Sequence, residues 1–379
     1  MAHTYVTDAG AAQLPKYKYS GNDRSLLYNY IISPFAQIIV DTCFPEWLAP
    51  NTITTGGLAL VAASHVALAY YAPTLDGVAP PAVYLFCAWA LCTYQILDVT
   101  DGKQARKTGN SSPLGLLFDH GCDAVNVVFS ACNMTSTMLM GPSIWAMGLL
   151  IAPASVFLFA TWEEYYTGTL DLGYINGPNE GLAIMYVIYA ATAFTGPAIW
   201  TQPCILYPAL PNNAVFVIAT AIGAGCQCLV NVINVARTVS PTEFVGAVFR
   251  LIPFVLLAVA SFVYVLYSPN EVFASNPRVL MWIIGLMSCK MVMHIMLAHL
   301  CEEPYWLLRK SFVVVAAIAA LVYFDVIPQA DEAQVVYGVL GFVLAFYFHM
   351  VYFVIVDMTT ILKIKVFVVK DKAPKDKKQ

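Results

Sequence analysis

Long apolar runs broken by short polar or Gly/Pro-containing stretches dominate the chain. They cover 51–72, 82–98, 117–140, 142–161, 181–200, 212–236, 247–267, 278–299, 307–324 and 335–358. A bilayer crossing takes about 20 apolar residues, so the pattern predicts an all-α polytopic integral membrane protein with about ten transmembrane helices. Residues 25–44 (SLLYNYIISPFAQIIVDTCF) are apolar but amphipathic and interrupted by Pro34. They are expected to lie on the membrane as an N-terminal interfacial amphipathic helix. The organisation that follows is a cytosolic N-terminus and interfacial helix over 1–50, a transmembrane domain over 51–360, and a basic cytosolic tail over 361–379.

Composition narrows the class further. Of 379 residues, 59% are hydrophobic and only 11% charged, against roughly a quarter charged in soluble domains. A water-soluble globule is excluded. The net charge of −4 and the scattered basic residues give no basic, aromatic-interleaved surface for nucleic acid. The ten cysteines sit without CxxC or Cys/His ligand spacing and read as small buried apolar residues. The first 24 residues hold no basic stretch followed by an apolar one, so insertion is expected to be directed by the first span.

Basic residues set the orientation. Lys16, Lys18 and Arg24 precede the first run, Lys103, Arg106 and Lys107 follow the second, Arg237 and Arg250 the sixth, and Arg309 and Lys310 the eighth. Further lysines follow the last run, while the loops 71–81, 201–211 and 325–334 carry none. Basic residues collect on the cytosolic side, which places both termini and the loop near residue 107 in the cytosol. Lys375 and Lys377 resemble a dilysine retrieval signal of endoplasmic-reticulum membrane proteins, and a basic tail held at the inner leaflet is the other reading. The expected location is the endoplasmic reticulum or Golgi membrane.

The chemistry is concentrated between runs two and three. Asp98 and Asp101 are three residues apart, and Gly115, Asp119 and Asp123 recur every four, so each set shares one helical face. Four carboxylates in or near a bilayer repel one another unless cations neutralise them. Two divalent ions would balance four acids, and a two-metal site suits phosphoryl transfer. Oxygen-only ligands favour Mg²⁺ or Mn²⁺. Gly102 and Gly115 let a bulky ligand approach the backbone, Ala105 keeps that face low, and Arg106, with Lys103, can meet phosphate oxygens.

The pattern D-x-x-D-G-x-x-A-R-x8-G-x-x-x-D-x-x-x-D over residues 98–123 resembles the signature of the CDP-alcohol phosphotransferase family. The wording DGKQAR…NSSPLG and LFDHGCD, with KYKYSG and Trp47-Leu-Ala-Pro-Asn51-Thr-Ile-Thr before it, is similar to the eukaryotic choline/ethanolamine phosphotransferase branch. The resemblance implies transfer of phosphocholine or phosphoethanolamine from CDP-choline or CDP-ethanolamine to diacylglycerol, with release of CMP, by a homodimeric enzyme. By motif position, Asp98, Asp101, Asp119 and Asp123 would hold two Mg²⁺ or Mn²⁺ ions. Asn51, Asp98, Gly102, Arg106 and Gly115 would border the cytidine diphosphate. Leu116 departs from the branch, whose members usually carry Glu there.

A lipid hydroxyl that attacks phosphorus needs a base. His120, oriented by Glu180 of the NGPNEG segment, is one expectation, Asp123 the motif's usual one, and solvent a third. Trp162, Glu163, Tyr165 and Tyr166 combine aromatic rings with charge as a cationic head group requires, although an interfacial aromatic belt reads the same. Lys290 and His294 sit four residues apart within one run, with His299 beyond them. The motif also serves enzymes that take CDP-diacylglycerol and a soluble alcohol such as inositol. A transporter would show inverted repeats, and the sequence shows none.

Overall fold

A computed structural model describes residues 4–268, 271–328 and 331–369. Lys375 and Lys377 lie outside the described residues. Near the N-terminus come α1 (Asp8–Gln13) and α2 (Ser33–Thr42). Helices then form at each apolar run: α3 (Pro50–Tyr71), α4 (Pro81–Thr108), α5 (Pro113–Thr137), α6 (Ile144–Thr167), α7 (Leu182–Thr195) and α8 (Asn212–Thr238). The short α9 (Pro241–Phe249) leads into α10 (Ile252–Tyr267), and α11 (Val272–Ser275) into α12 (Pro277–Cys301), α13 (Lys310–Tyr323) and α14 (Glu332–Leu362).

Among the described residues, seven helical stretches are long and apolar enough to cross a membrane: α3, α4, α6, α8, α9 with α10, α12 and α14. The chain is thus an all-α polytopic membrane protein. Helix α5 is equally long but carries Asp119, Asp123 and a buried polar half, with Asn126, Ser130, Asn133 and Thr135 enclosed by neighbours. Helices α7 and α13 have 14 residues each, or about 21 Å at 1.5 Å per residue. A π-helical turn at Gly177–Gly181 and a 3₁₀ turn at Pro197–Thr201 extend α7 at its two ends.

Proline in the first turn starts α3, α4, α5 and α12, where its fixed φ fits and its missing N–H goes unneeded. Gly109, at φ +70°, stops α4, and the Ser112 hydroxyl caps α5 by accepting from the Gly115 amide at 3.1 Å. A tight four-residue break therefore separates the two acid-bearing helices. Pro34 does not interrupt the interfacial segment: a π-helical turn at Tyr28–Ile32 runs directly into α2, with Pro34 in its first turn. Ala36 and Val40 of α2 face inward, while Tyr30, Ile31, Phe35 and Ile38 are exposed.

Helix α12 is the central post, with 83% of its apolar stretch buried, against 11% for the lipid-facing α8. Its contact with α5 depends on Gly285, where a Cβ would fall 2.5 Å from a methyl of Val128. The face bearing the acids is built by contacts distant in sequence. Gln104 of α4 donates to the carbonyls of Pro45 (2.9 Å) and Leu48 (3.0 Å), and the Lys107 ammonium donates to the carbonyls of Val40 and Phe44. Strand β1 (Gly21–Asp23) pairs in parallel with β2 (Leu170–Leu172), tying the N-terminal segment to the chain leaving α6. After α14 the chain returns to the same face, where the Asn51 amide donates to the Val366 carbonyl at 2.9 Å.

Candidate active site

The acid face of α4 meets that of α5. Carboxylate oxygens of Asp98, Asp119 and Asp123 lie within 4.8 Å of one another. Asp98 Oδ1 and Asp119 Oδ1 are buried and accept no hydrogen bond, an arrangement that repels itself unless a cation fills it. The Tyr94 hydroxyl donates to Asp123 at 2.6 Å, and the Thr54 hydroxyl donates to Asp101. Asp101 stands outside the group of three. An all-oxygen donor set with two vacant carboxylate oxygens fits a divalent cation of the Mg²⁺ or Mn²⁺ kind.

The nucleotide-facing residues expected from the sequence fall into two pairs. A Cβ on Gly115 would lie 3.8 Å from Asn51 Oδ1, and one on Gly102 would lie 3.7 Å from Arg106 Nη1. Asn51 and Gly115 are therefore neighbours at the mouth between α3 and α5, and the exposed Arg106 guanidinium passes over Gly102. The returning C-terminal segment touches this mouth twice, through Val366 on Asn51 and through Phe367, edge-on to Phe118 with ring centroids 6.0 Å apart.

His120 is buried beside Asp119, its ring stacked on Phe157 with centroids 6.2 Å apart. Its Nδ1 lies 3.1 Å from the Leu116 carbonyl, so the tautomer with Nδ1–H donating leaves Nε2 free to accept a proton. The orienting partner is thus the backbone at position 116, not Glu180. Glu180 accepts from the Ser25 hydroxyl at 2.5 Å and the Asn176 amide at 2.9 Å. The β1–β2 pairing carries Ser25 to that turn, and Gln95 pins the turn to α4 through the carbonyls of Pro178 and Asn179. Glu180 fastens the N-terminal segment and shares no hydrogen bond with His120.

In the aromatic segment at the end of α6, Glu163, Tyr165 and Tyr166 are engaged within the protein, while the buried Trp162 Nε1 makes no hydrogen bond. Glu163 accepts from Asn231 (2.6 Å) and Asn234 (2.8 Å) of α8. Tyr165 donates to the Glu303 carbonyl at 3.0 Å, and Tyr166 accepts from Arg250 at 3.2 Å. The Arg250 guanidinium lies over the rings of Tyr305 and Trp306 at 5.3 and 5.4 Å, and Trp162 is wholly buried. A cation of the protein itself, Arg250, therefore takes the Tyr166 hydroxyl and the neighbouring rings of Tyr305 and Trp306. Lys290 donates to Ser311 at 3.1 Å, and His294 stacks on Tyr5 and lies 3.3 Å from Arg309. Both engage α13, the chain leading into it and the N-terminus.

The sequence reading passed over Tyr94 and Thr54, which hold the acids by hydrogen bonds. Tyr94 had a legible signal, since it lies one helical turn before Asp98. An apolar cavity of about 710 Å³ opens between α3, α5, α12 and α14. Leu58, Phe118, Cys122, Met293, Tyr347 and Val351 are among the residues lining it. Phe118 and Cys122 directly precede Asp119 and Asp123, so the cavity and the acids lie on adjoining faces of α5.

Residues 47–223 match the family model described as CDP-alcohol phosphatidyltransferase. The chain is 36% identical to choline/ethanolaminephosphotransferase 1 of Arabidopsis thaliana, covering 96% of this chain and 98% of that protein. Cholinephosphotransferase 1 of Xenopus laevis is 32% identical, over 82% of this chain and 79% of its own. Cholinephosphotransferase 1 of Saccharomyces cerevisiae is 29% identical, over 97% and 98%. The match extends well past the acid helices to nearly the full length of both chains. This polytopic membrane protein belongs to the CDP-alcohol phosphatidyltransferase family of enzymes.

Proposed function

We propose that the protein transfers phosphocholine, phosphoethanolamine or both from the CDP-alcohol to diacylglycerol, giving phosphatidylcholine or phosphatidylethanolamine and CMP. The observation that carries the reading is the convergence of Asp98, Asp119 and Asp123, in a chain that aligns over nearly its whole length with proteins named for this activity.

Asp98, Asp101, Asp119 and Asp123 would hold two Mg²⁺ or Mn²⁺ ions. When bound, these ions neutralise the diphosphate and stabilise charge at the attacked phosphorus. The cavity takes the acyl chains of diacylglycerol and delivers its hydroxyl to the edge of the acid cluster. His120 Nε2 takes the hydroxyl proton while the Leu116 carbonyl keeps Nδ1–H in place. The hydroxyl oxygen bonds to the phosphorus bearing the amino alcohol, and the bond from that phosphorus to the oxygen of CMP breaks with its electron pair leaving on CMP. Arg106 meets the phosphate oxygens, and Asn51 and Gly115 border the nucleoside.

Both termini and the acid face are assigned to the cytosol, because the segments 16–24, 103–107 and 363–365 carry the basic residues. The described C-terminal segment meets the same face as Asn51. An endoplasmic-reticulum membrane and a homodimer complete the reading. Purified protein with Mg²⁺ and diacylglycerol should release CMP from CDP-choline or CDP-ethanolamine. Release only from CDP-diacylglycerol with inositol would reverse the donor and acceptor.

A further inference from the structure

Two adjacent glutamates at the end of α6 have opposite fates. Glu163 turns to α8 and is satisfied by two amides. Glu164, about 100° around the helix, turns toward α12 and the N-terminal segment and is 1% exposed, yet neither of its carboxylate oxygens accepts a hydrogen bond. The nearest cationic or titratable group is His299, whose Nε2 lies 3.8 Å from Oε1, beyond hydrogen-bond length. That same nitrogen lies 3.4 Å from the Tyr17 hydroxyl, and the Tyr17 ring stands edge-on to the imidazole at 5.4 Å.

The surroundings join this carboxylate to the acid cluster. Burial and then the Glu164 charge push the Tyr17 phenol well above its ordinary pKa. Tyr19, its ring half exposed, folds its hydroxyl back against Gly21. Seven residues before Glu164 on α6, Phe157 stacks on His120, next in the chain to Asp119, with ring centroids 6.2 Å apart. A buried carboxylate that accepts no hydrogen bond and has only a histidine at 3.8 Å beside it suits a cation, and aromatic rings beside a carboxylate suit an alkylammonium group.

We propose that Glu164, with His299 and Tyr17 beside it, receives the cationic end of the amino-alcohol donor, and so makes the enzyme select charged over neutral CDP-alcohols. The assignment rests on the donor proposed above. A quaternary ammonium would be held there by charge and ring faces, and a primary ammonium would also donate to the free Glu164 oxygens.

The test uses the full-length protein in detergent and lipid micelles. Glu164→Gln keeps the shape and removes the charge. The expected result is a KM for CDP-choline and CDP-ethanolamine raised about tenfold or more, with a much smaller change in kcat. Inhibition by CMP, which has no head group, should be unchanged, and Glu164→Asp should recover part of the loss. An unchanged KM in Glu164→Gln, or CMP inhibition weakened in parallel, would overturn the assignment. Should Glu164→Gln fail to fold, the unmodified protein decides: phosphocholine should inhibit at concentrations where glycerol 3-phosphate does not, and equal inhibition by both would overturn it. Wild-type protein that releases no CMP from either CDP-alcohol would instead count against the donor itself.

Discussion

The hydroxyl of Tyr94 donates to Asp123 across 2.6 Å, from one turn before Asp98 on the facing helix. The two acid-bearing helices are thereby locked at the level of the cluster, and one lone pair of Asp123 is fixed in direction. Such an outer partner orients a ligand and tunes its basicity, and its loss typically costs about 10- to 100-fold in metal affinity or activity. Tyr94→Phe should therefore raise the Mg²⁺ concentration needed for half-maximal CMP release by about tenfold or more, with the helical circular dichroism retained. An unaltered Mg²⁺ dependence would remove Tyr94 from the site.

The acids themselves should tolerate no such compromise. Asp119→Ala and Asp101→Ala are expected to reduce transfer to background while the protein still inserts and purifies, because the apolar spans are untouched. Chelation by EDTA should silence the wild type, and Mg²⁺ or Mn²⁺ should restore it. Near-normal turnover in either purified variant would contradict the metal assignment.

His120 and Glu180 should separate cleanly. Removing a general base costs about 10²- to 10⁴-fold, so His120→Ala should lose kcat on that scale with CDP-alcohol binding kept. Glu180→Gln breaks its bonds to Ser25 and Asn176, and hydrogen bonds to a charged group contribute about 1.5–3 kcal/mol. It should lower the thermal unfolding midpoint and leave most of the turnover. A collapse of kcat in Glu180→Gln with unchanged stability would return Glu180 to the proton path.

The cavity gives a prediction specific to the lipid. Cys122→Trp projects a large ring into the space lined by Leu58, Met293 and Tyr347. The KM for diacylglycerol should rise several-fold, and long acyl chains should suffer more than short ones, while the KM for the CDP-alcohol holds. Equal effects on both substrates would place the acyl chains elsewhere.

Features written in local periodicity were legible: the apolar runs and the i,i+3 and i,i+4 acids on two neighbouring helices. Three features were not, each because it depends on neighbours distant in sequence. Glu180 reads as a free carboxylate near the motif until β1 pairs with β2 and brings Ser25 to it. Glu163 and Glu164 are indistinguishable by type, and only the positions of α8 and α12 decide which is satisfied. Pro34 suggests a break in the interfacial segment, yet it opens α2, since proline is tolerated in a first turn. The acid site was therefore readable in outline, while its second layer of contacts required the fold.

The most direct measurement is CMP release by the purified protein in lipid micelles with Mg²⁺, comparing CDP-choline and CDP-ethanolamine with diacylglycerol against CDP-diacylglycerol with inositol. The account predicts release from a soluble CDP-alcohol that depends on both diacylglycerol and the metal. Release confined to CDP-diacylglycerol with inositol, or release indifferent to Mg²⁺, would contradict it.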